Sequence, residues 1–192
     1  MDPPSEPRHD ALVALLQQAR PAPGAVLPLI EEVEALTPCD LSRPRDLEQL
    51  TGVWELRWSS GRQAYLQPQP WLENLQVLRP SVGAGLNLLR GRGPLVAFGG
   101  VAVEAALTLE PPRRVQVRFR RGGWIGPAVG PLQARLLTAV QQSFPAWLDI
   151  TVVSDQLRLC RGNTGTVFAL LRRQDLNPAE LLPDPGETGP AP

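Results

Sequence analysis

The spacing of the apolar residues changes near residue 50, and that change limits the fold more than any single motif. Before it, 9–20 (HDALVALLQQAR) sets Leu12, Leu15, Leu16 and Ala19 on one helical face, and Pro21 and Pro23 stop the run. In 27–36 (LPLIEEVEAL), Leu29, Ile30, Val33 and Leu36 form a second stripe with Glu31, Glu32 and Glu34 off it, and Pro28 suits a first turn. The stretch 37–46 (TPCDLSRPRD) reads as a connector. Beyond it the period falls to two. In 52–60 (GVWELRWSS), Trp54, Leu56 and Trp58 alternate with Glu55 and Arg57, which is the pattern of a half-buried strand.

Further short strands follow at 71–79, 85–89, 101–109, 115–121, 147–153, 156–161 and 166–172. In 101–109, Val101, Val103, Ala105, Leu107 and Leu109 face one way; in 115–121, Val115, Val117 and Phe119 do, against Gln116, Arg118 and Arg120. Pro111 and Pro112 mark the turn between these two runs. The stretch 131–144 returns to helical spacing through Leu132, Leu136, Val140 and Phe144, between Pro131 and Pro145. The expected fold is therefore mainly β with α: an antiparallel β-barrel preceded by N-terminal helices, with one helix inserted before the last strands. The domain plan is a tail over 1–8, helices over 9–36, a barrel over 50–173 and a tail over 183–192. Twenty-two of the 192 residues are proline, about twice the usual share. They crowd the two ends, where too little apolar surface exists to offset the entropy of ordering.

Several function classes are disfavoured. Nineteen basic residues balance nineteen acidic ones, and no lysine is present, so no overall field steers the chain to nucleic acid. In RRVQVRFRR (113–121), alternation sets Arg118 and Arg120 on the face opposite Phe119, so they do not flank a stacking platform. The single histidine, His9, lies next to the expected tail, which leaves no Cys/His or Ser/His nucleophilic pair and no histidine metal cluster to be read from spacing. Cys39 and Cys160 fit no metal or redox spacing and read as free thiols. No catalytic residue, cofactor or metal is called for. No signal peptide and no transmembrane run is seen.

The stretch 155–165 (DQLRLCRGNTG) reads as a strand ending in a hairpin. No GK[ST] follows, and TVFALLR after it is strand-like, so GNTG is a turn rather than a phosphate loop. Leu157, Leu159 and Arg161 share one face, Arg158 and Cys160 the other. With Arg161 turned inward and stacked on a tryptophan of the first strand, the arginine would tie the barrel shut.

LTGVWELRWSS (50–60) and WLDITVVSDQLRLCRGNTGTVFAL (147–170) together resemble the PAP/fibrillin family, the plastid lipid-associated proteins. The resemblance runs over about residues 10–172, taking in LIEEVEALTP, and departs at Arg57-Trp58, Val152 and Ser154, while Asp155 is kept. Gly52-Val53-Trp54 is also similar to the opening Gly-x-Trp of lipocalins, with Trp54 plugging the barrel floor. The resemblance implies a lipocalin-like barrel of cyanobacterial type, cytoplasmic or peripheral on thylakoid membranes. It implies non-catalytic binding, carriage or buffering of an apolar small molecule: an isoprenoid quinone, carotenoid or acyl lipid. The expected ligand-binding residues are Trp58, Val103, Ala105, Leu107 and Phe119, which either line a cavity or fill a packed core. Expected barrel closure falls to Gly52, Trp54, Arg161 and Asn163. The alternative is a scaffold that coats lipid particles or holds an isoprenoid-pathway enzyme or photosynthetic complex, with the N-terminal helices or Trp71 and Trp124 as its sticky surface. Expected partners are thus the apolar ligand, a membrane or lipid-particle surface and a protein, but not nucleic acid.

Overall fold

The computed structural model describes residues 6–19, 21–129 and 132–183. Two helices, α1 (Glu6–Gln17) and α2 (Pro23–Leu36), lead into a short α3 (Pro44–Leu50). Nine strands follow: β1 (Gly52–Ser59), β2 (Leu72–Arg79), β3 (Ala84–Gly91), β4 (Gly100–Glu110), β5 (Arg114–Val129), β6 (Leu132–Ala139), β7 (Ala146–Val153), β8 (Leu157–Gly162) and β9 (Val167–Arg172), then a helical turn α4 (Pro178–Leu181). All strand pairs are antiparallel, in the order β4-β3-β2-β1-β9-β8-β7-β5-β6, and a further β4–β5 pairing closes eight of the strands into a barrel. Closure removes the exposed edges that an open sheet of this length would carry.

The fold class is the expected one, with one local correction. The stretch expected to be a helix, 131–144, is the strand β6 followed by coil; its expected start, Pro131, lies outside the described residues. The helical turns between strands are instead three 3-10 segments, Ala64–Leu66, Pro80–Val82 and Gly93–Phe98. The cause lies in β5. At 16 residues it outruns the barrel: Arg114–Val117 pair with β7, while the pairings from Arg121 to Val129 need another partner, and β6 supplies it. Backbone satisfaction outweighs a local helical period. The expected tail over 1–8 is also shorter than supposed. Residues 6–8 form the first turn of α1, where Arg8 pairs with Glu32 of α2 at 3.0 Å, and the remaining tail residues, 1–5 and 184–192, lie outside the described set.

Apolar residues pack in three layers. Leu12 and Leu16 of α1 and Val26, Ile30 and Val33 of α2 sit on the outside of the barrel against Leu157, Leu159, Val167 and Ala169. Each such side chain, fully buried, stabilises the docking by about 1.5–3 kcal/mol. The barrel interior holds Trp54, Leu56, Leu78, Val115, Ile150, Cys160 and Leu170. A third cluster lies on the opposite outer face, where Leu176, Leu181 and Leu182 cover Leu75, Val77, Leu86 and Ile125. Both faces of β1 are therefore covered. Glu55, which alternation sets opposite Trp54 and Leu56 in a half-buried strand, is buried in a cluster with Arg57, Arg92 and Arg173.

Candidate ligand cavity and its plugged floor

The register of the strands decides which side chains reach the interior. Trp54 opposes Gln76 on one side and Arg172 on the other, and all three point inward. Trp54 is fully buried, and its indole N–H donates to the Leu50 carbonyl at 3.1 Å. The Arg172 guanidinium lies 4.2 Å from the indole centre and donates to the carbonyls of Asp155 (2.9 Å), Thr51 (2.7 Å) and Gln49. One arginine thus ties the 49–51 stretch and the β7–β8 turn to β9 across the floor. Gly52 makes room for it: φ is +150°, and a Cβ at Gly52 would collide with Arg172 Nη1. The Gly-x-Trp spacing is explained by this close approach.

A second guanidinium, Arg158, lies 5.4 Å from the same indole centre and is fully buried. It donates through Nη2 to Gln76 Oε1, and burial pushes its pKa down. The partition of faces in β8 is the expected one, but its direction is reversed. Arg158 and Cys160 face in, while Arg161 faces out and pairs with Glu34 of α2, Nε to Oε1 at 3.0 Å. Arg161 fastens a helix to the barrel wall; the arginines on the tryptophan are Arg172 and Arg158. Alternation alone cannot tell which face is inside when both are covered. At the other end, the Asn163 side-chain N–H donates to the Pro145 carbonyl at 2.9 Å and ties the β8–β9 turn to the segment before β7. That turn is a hairpin, as read, with Gly165 at φ +75°.

Above the floor the interior opens into a cavity of about 310 Å³. Small residues stand at four positions in its wall: Ala105 and Ala146, and Gly85 and Gly162, against which the side chains of Leu107 and Phe168 pack. The rest of its wall is mainly apolar, with Leu78, Leu107, Val117, Phe119, Leu148 and Phe168, and its polar groups include Gln76 and Asn87 from neighbouring strands. Tyr65 and Leu66 of a 3-10 turn, Phe144 and the Asn163–Thr164 turn rim the opening.

Of the expected ligand-binding residues, Ala105, Leu107 and Phe119 stand in this wall. Val103 shares their face of β4 but lies outside the lining. Trp58 is outside the barrel. A bulge between Leu56 and Trp58 reverses the strand's parity, so Trp58 packs beneath α1 and α2 and borders an outer groove of about 720 Å³ with Leu27 and Pro68. A bulge is invisible to a strict two-residue count. Trp147, between the inward Ala146 and Leu148, turns its ring to the outer face, where the Arg114 guanidinium lies 3.8 Å from the ring centre.

Nucleophilic groups are otherwise engaged. Burial raises both thiols, Cys39 to about 12 and Cys160 likewise upward, so neither is a thiolate at neutral pH. His9 stands in α1, within the stretch read as helical, and its Nε2 meets Ser154 Oγ at 2.9 Å, a pairing that sequence spacing does not reveal. Ser154 Oγ accepts from the backbone N–H groups of Gln156 and Leu157, so the hydroxyl caps the β7–β8 turn. Among the described residues no cluster of metal-ligating side chains occurs, and no helix is long and apolar enough to cross a membrane.

A closed eight-stranded antiparallel barrel, with a Gly-x-Trp strand, an arginine across its floor and an apolar cavity at its mouth, is lipocalin-like in build. The sequence model of the PAP_fibrillin family matches residues 16–171, and the chain belongs to that family. No curated protein matches the chain. No solved structure matches it either.

Proposed function

We propose that the protein is a non-catalytic binder, carrying or buffering an apolar small molecule of the quinone, carotenoid or acyl-lipid kind at thylakoid-associated sites. The observation that carries this reading is the cavity itself. Its wall is mainly apolar, and a space of about 310 Å³ lies at the lower end of the range for small-molecule sites. Burial of a chain there gains about 0.8 kcal/mol per methylene. The size favours one acyl or prenyl chain within the barrel, with any longer portion leaving through the rim of Tyr65 and Phe144. The test is titration with a decyl-substituted benzoquinone, read by tryptophan fluorescence. Trp54, buried below the cavity, is the reporter, and saturable quenching is expected. Quenching that rises linearly without saturation would count against the cavity.

A second reading, attachment to a lipid particle or partner, is favoured by one surface feature. Val101, Trp124 and Leu136 are opposed in adjacent strands, and the Trp124 indole N–H donates to the Phe98 carbonyl. Phe98 is 74% and Leu136 70% exposed, so the four form a continuous apolar strip on the part of the sheet that outruns the barrel. Trp71 is also exposed, whereas α1 and α2 spend their apolar faces on the barrel. Flotation with phosphatidylglycerol vesicles tests this reading, with Leu136→Glu expected to reduce it.

A further inference from the structure

The barrel interior has an unbalanced charge. The carboxylates carried by its strands, Glu55, Glu73, Glu104, Glu110 and Asp149, are on the outward side, and four of them pair there with arginine. Arg158 and Arg172 face inward. Arg172 spends its donors on three carbonyls of the floor. Arg158 does not: among the described residues Nε and Nη1 are buried with no partner at hydrogen-bond geometry, and Nη2 donates to the neutral amide oxygen of Gln76, with the Cys160 thiol beside the group. A buried guanidinium without an anion is costly to keep charged, and its unmade hydrogen bonds add to that cost. The nearby Cys160 thiol does not supply the missing charge, because burial holds it protonated.

Gln76 is the link to the cavity. It lines the cavity wall and covers Arg158 from that side. Its amide oxygen is neutral and here meets Nη2 alone. A carboxylate in its place brings two oxygens and a full negative charge, and can take Nη2 together with Nε or Nη1 in the two-pronged geometry that guanidinium favours. Asn87, opposite Gln76 on β3, gives the displaced amide or the carboxylate a further polar neighbour. We infer that the ligand of this cavity is a single-chain carboxylate, its tail in the apolar mouth and its head group drawn past Gln76 onto Arg158. This rests on the proposed binding of an apolar molecule in the cavity and narrows its chemical class. One guanidinium matches one negative charge, which favours a carboxylate over a phosphate or diphosphate head.

The experiment is calorimetric titration of the full chain with dodecanoate, methyl dodecanoate, dodecanol and dodecyl phosphate, below their aggregation concentrations. Dodecanoate is expected to bind at least about tenfold more tightly than the ester or alcohol, since a charged hydrogen-bonded contact of this kind is worth that much. The preference should survive added salt, because a buried pair is weakly screened. In Arg158→Met, dodecanoate should fall to the level of dodecanol. Equal affinity of acid, ester and alcohol for the wild type would overturn the inference while leaving the cavity reading intact, and needs no variant that might fold poorly. Tighter binding of dodecyl phosphate would overturn the carboxylate assignment. A preference that salt abolishes would place the acid on surface arginines and overturn it too. No saturable binding of any of the four would overturn both this inference and the cavity reading.

Discussion

At the floor of the barrel, Trp54 and Arg172 fill the inward positions of β1 and β9 with large planar groups, and the two strands end pinned to the Leu50, Thr51 and Gln49 carbonyls. At the mouth, Ala105 and Ala146 stand in the wall of the same barrel beside about 310 Å³ of open space. The strands and their alternation are common to both ends; what differs is side-chain volume and the number of hydrogen bonds each inward residue makes. Stability is concentrated at one end of the interior and room for a ligand at the other. A protein built this way can hold a cavity because its closure does not depend on filling it.

That contrast can be broken most severely at the floor. Replacing Arg172 with Met leaves three carbonyls without their donor and removes the stack on Trp54. The expected loss in denaturant unfolding is about 3 kcal/mol or more. Gly52→Ala attacks the same contact from the other side, through a Cβ that Arg172 must move to admit. A loss of about 2 kcal/mol is expected, and a neutral result would mean that the floor has slack. Arg161→Ala should cost less, about 1 kcal/mol, because its pair with Glu34 is partly exposed, with 39% of the arginine side chain in solvent. Its effect should appear as looser docking of α2, seen as faster amide exchange in that helix. Arg118→Ala, on the exposed outer face, should shift the midpoint by less than about 0.5 kcal/mol.

Much of the barrel was legible because most of its strands keep strict alternation, as β4 and the first half of β5 do, and alternation survives whatever packs on either side. Reading β6 required knowing that β5 is too long for its barrel partner, which is a property of the pairing and not of residues 132–139. α3 was read as connector because seven residues hold too little periodicity, although Pro44 at its start and Leu50 under Trp54 were available signals. The candidate site divides in the same way. Ala105, Leu107 and Phe119 lie on unbroken alternation and were placeable. Trp58 lies past a bulge, and the choice between Arg158 and Arg161 turns on the packing of α2 outside the barrel. Gly85, Ala146 and Gly162 carry no signal in the sequence, because a small side chain takes its meaning from neighbours in other strands.

The central claim, that the mouth is an empty ligand space and not a packed core, is tested most directly by one substitution with two readings, Ala105→Phe. Ala105 stands in the cavity wall opposite Gly85 and Phe119. Ring atoms added there should enter open volume, so the unfolding free energy should change by less than about 1 kcal/mol while the saturable benzoquinone quenching seen in the wild type is lost. Destabilisation of about 1–3 kcal/mol from overpacking, with no saturable quenching in the wild type, would contradict the account.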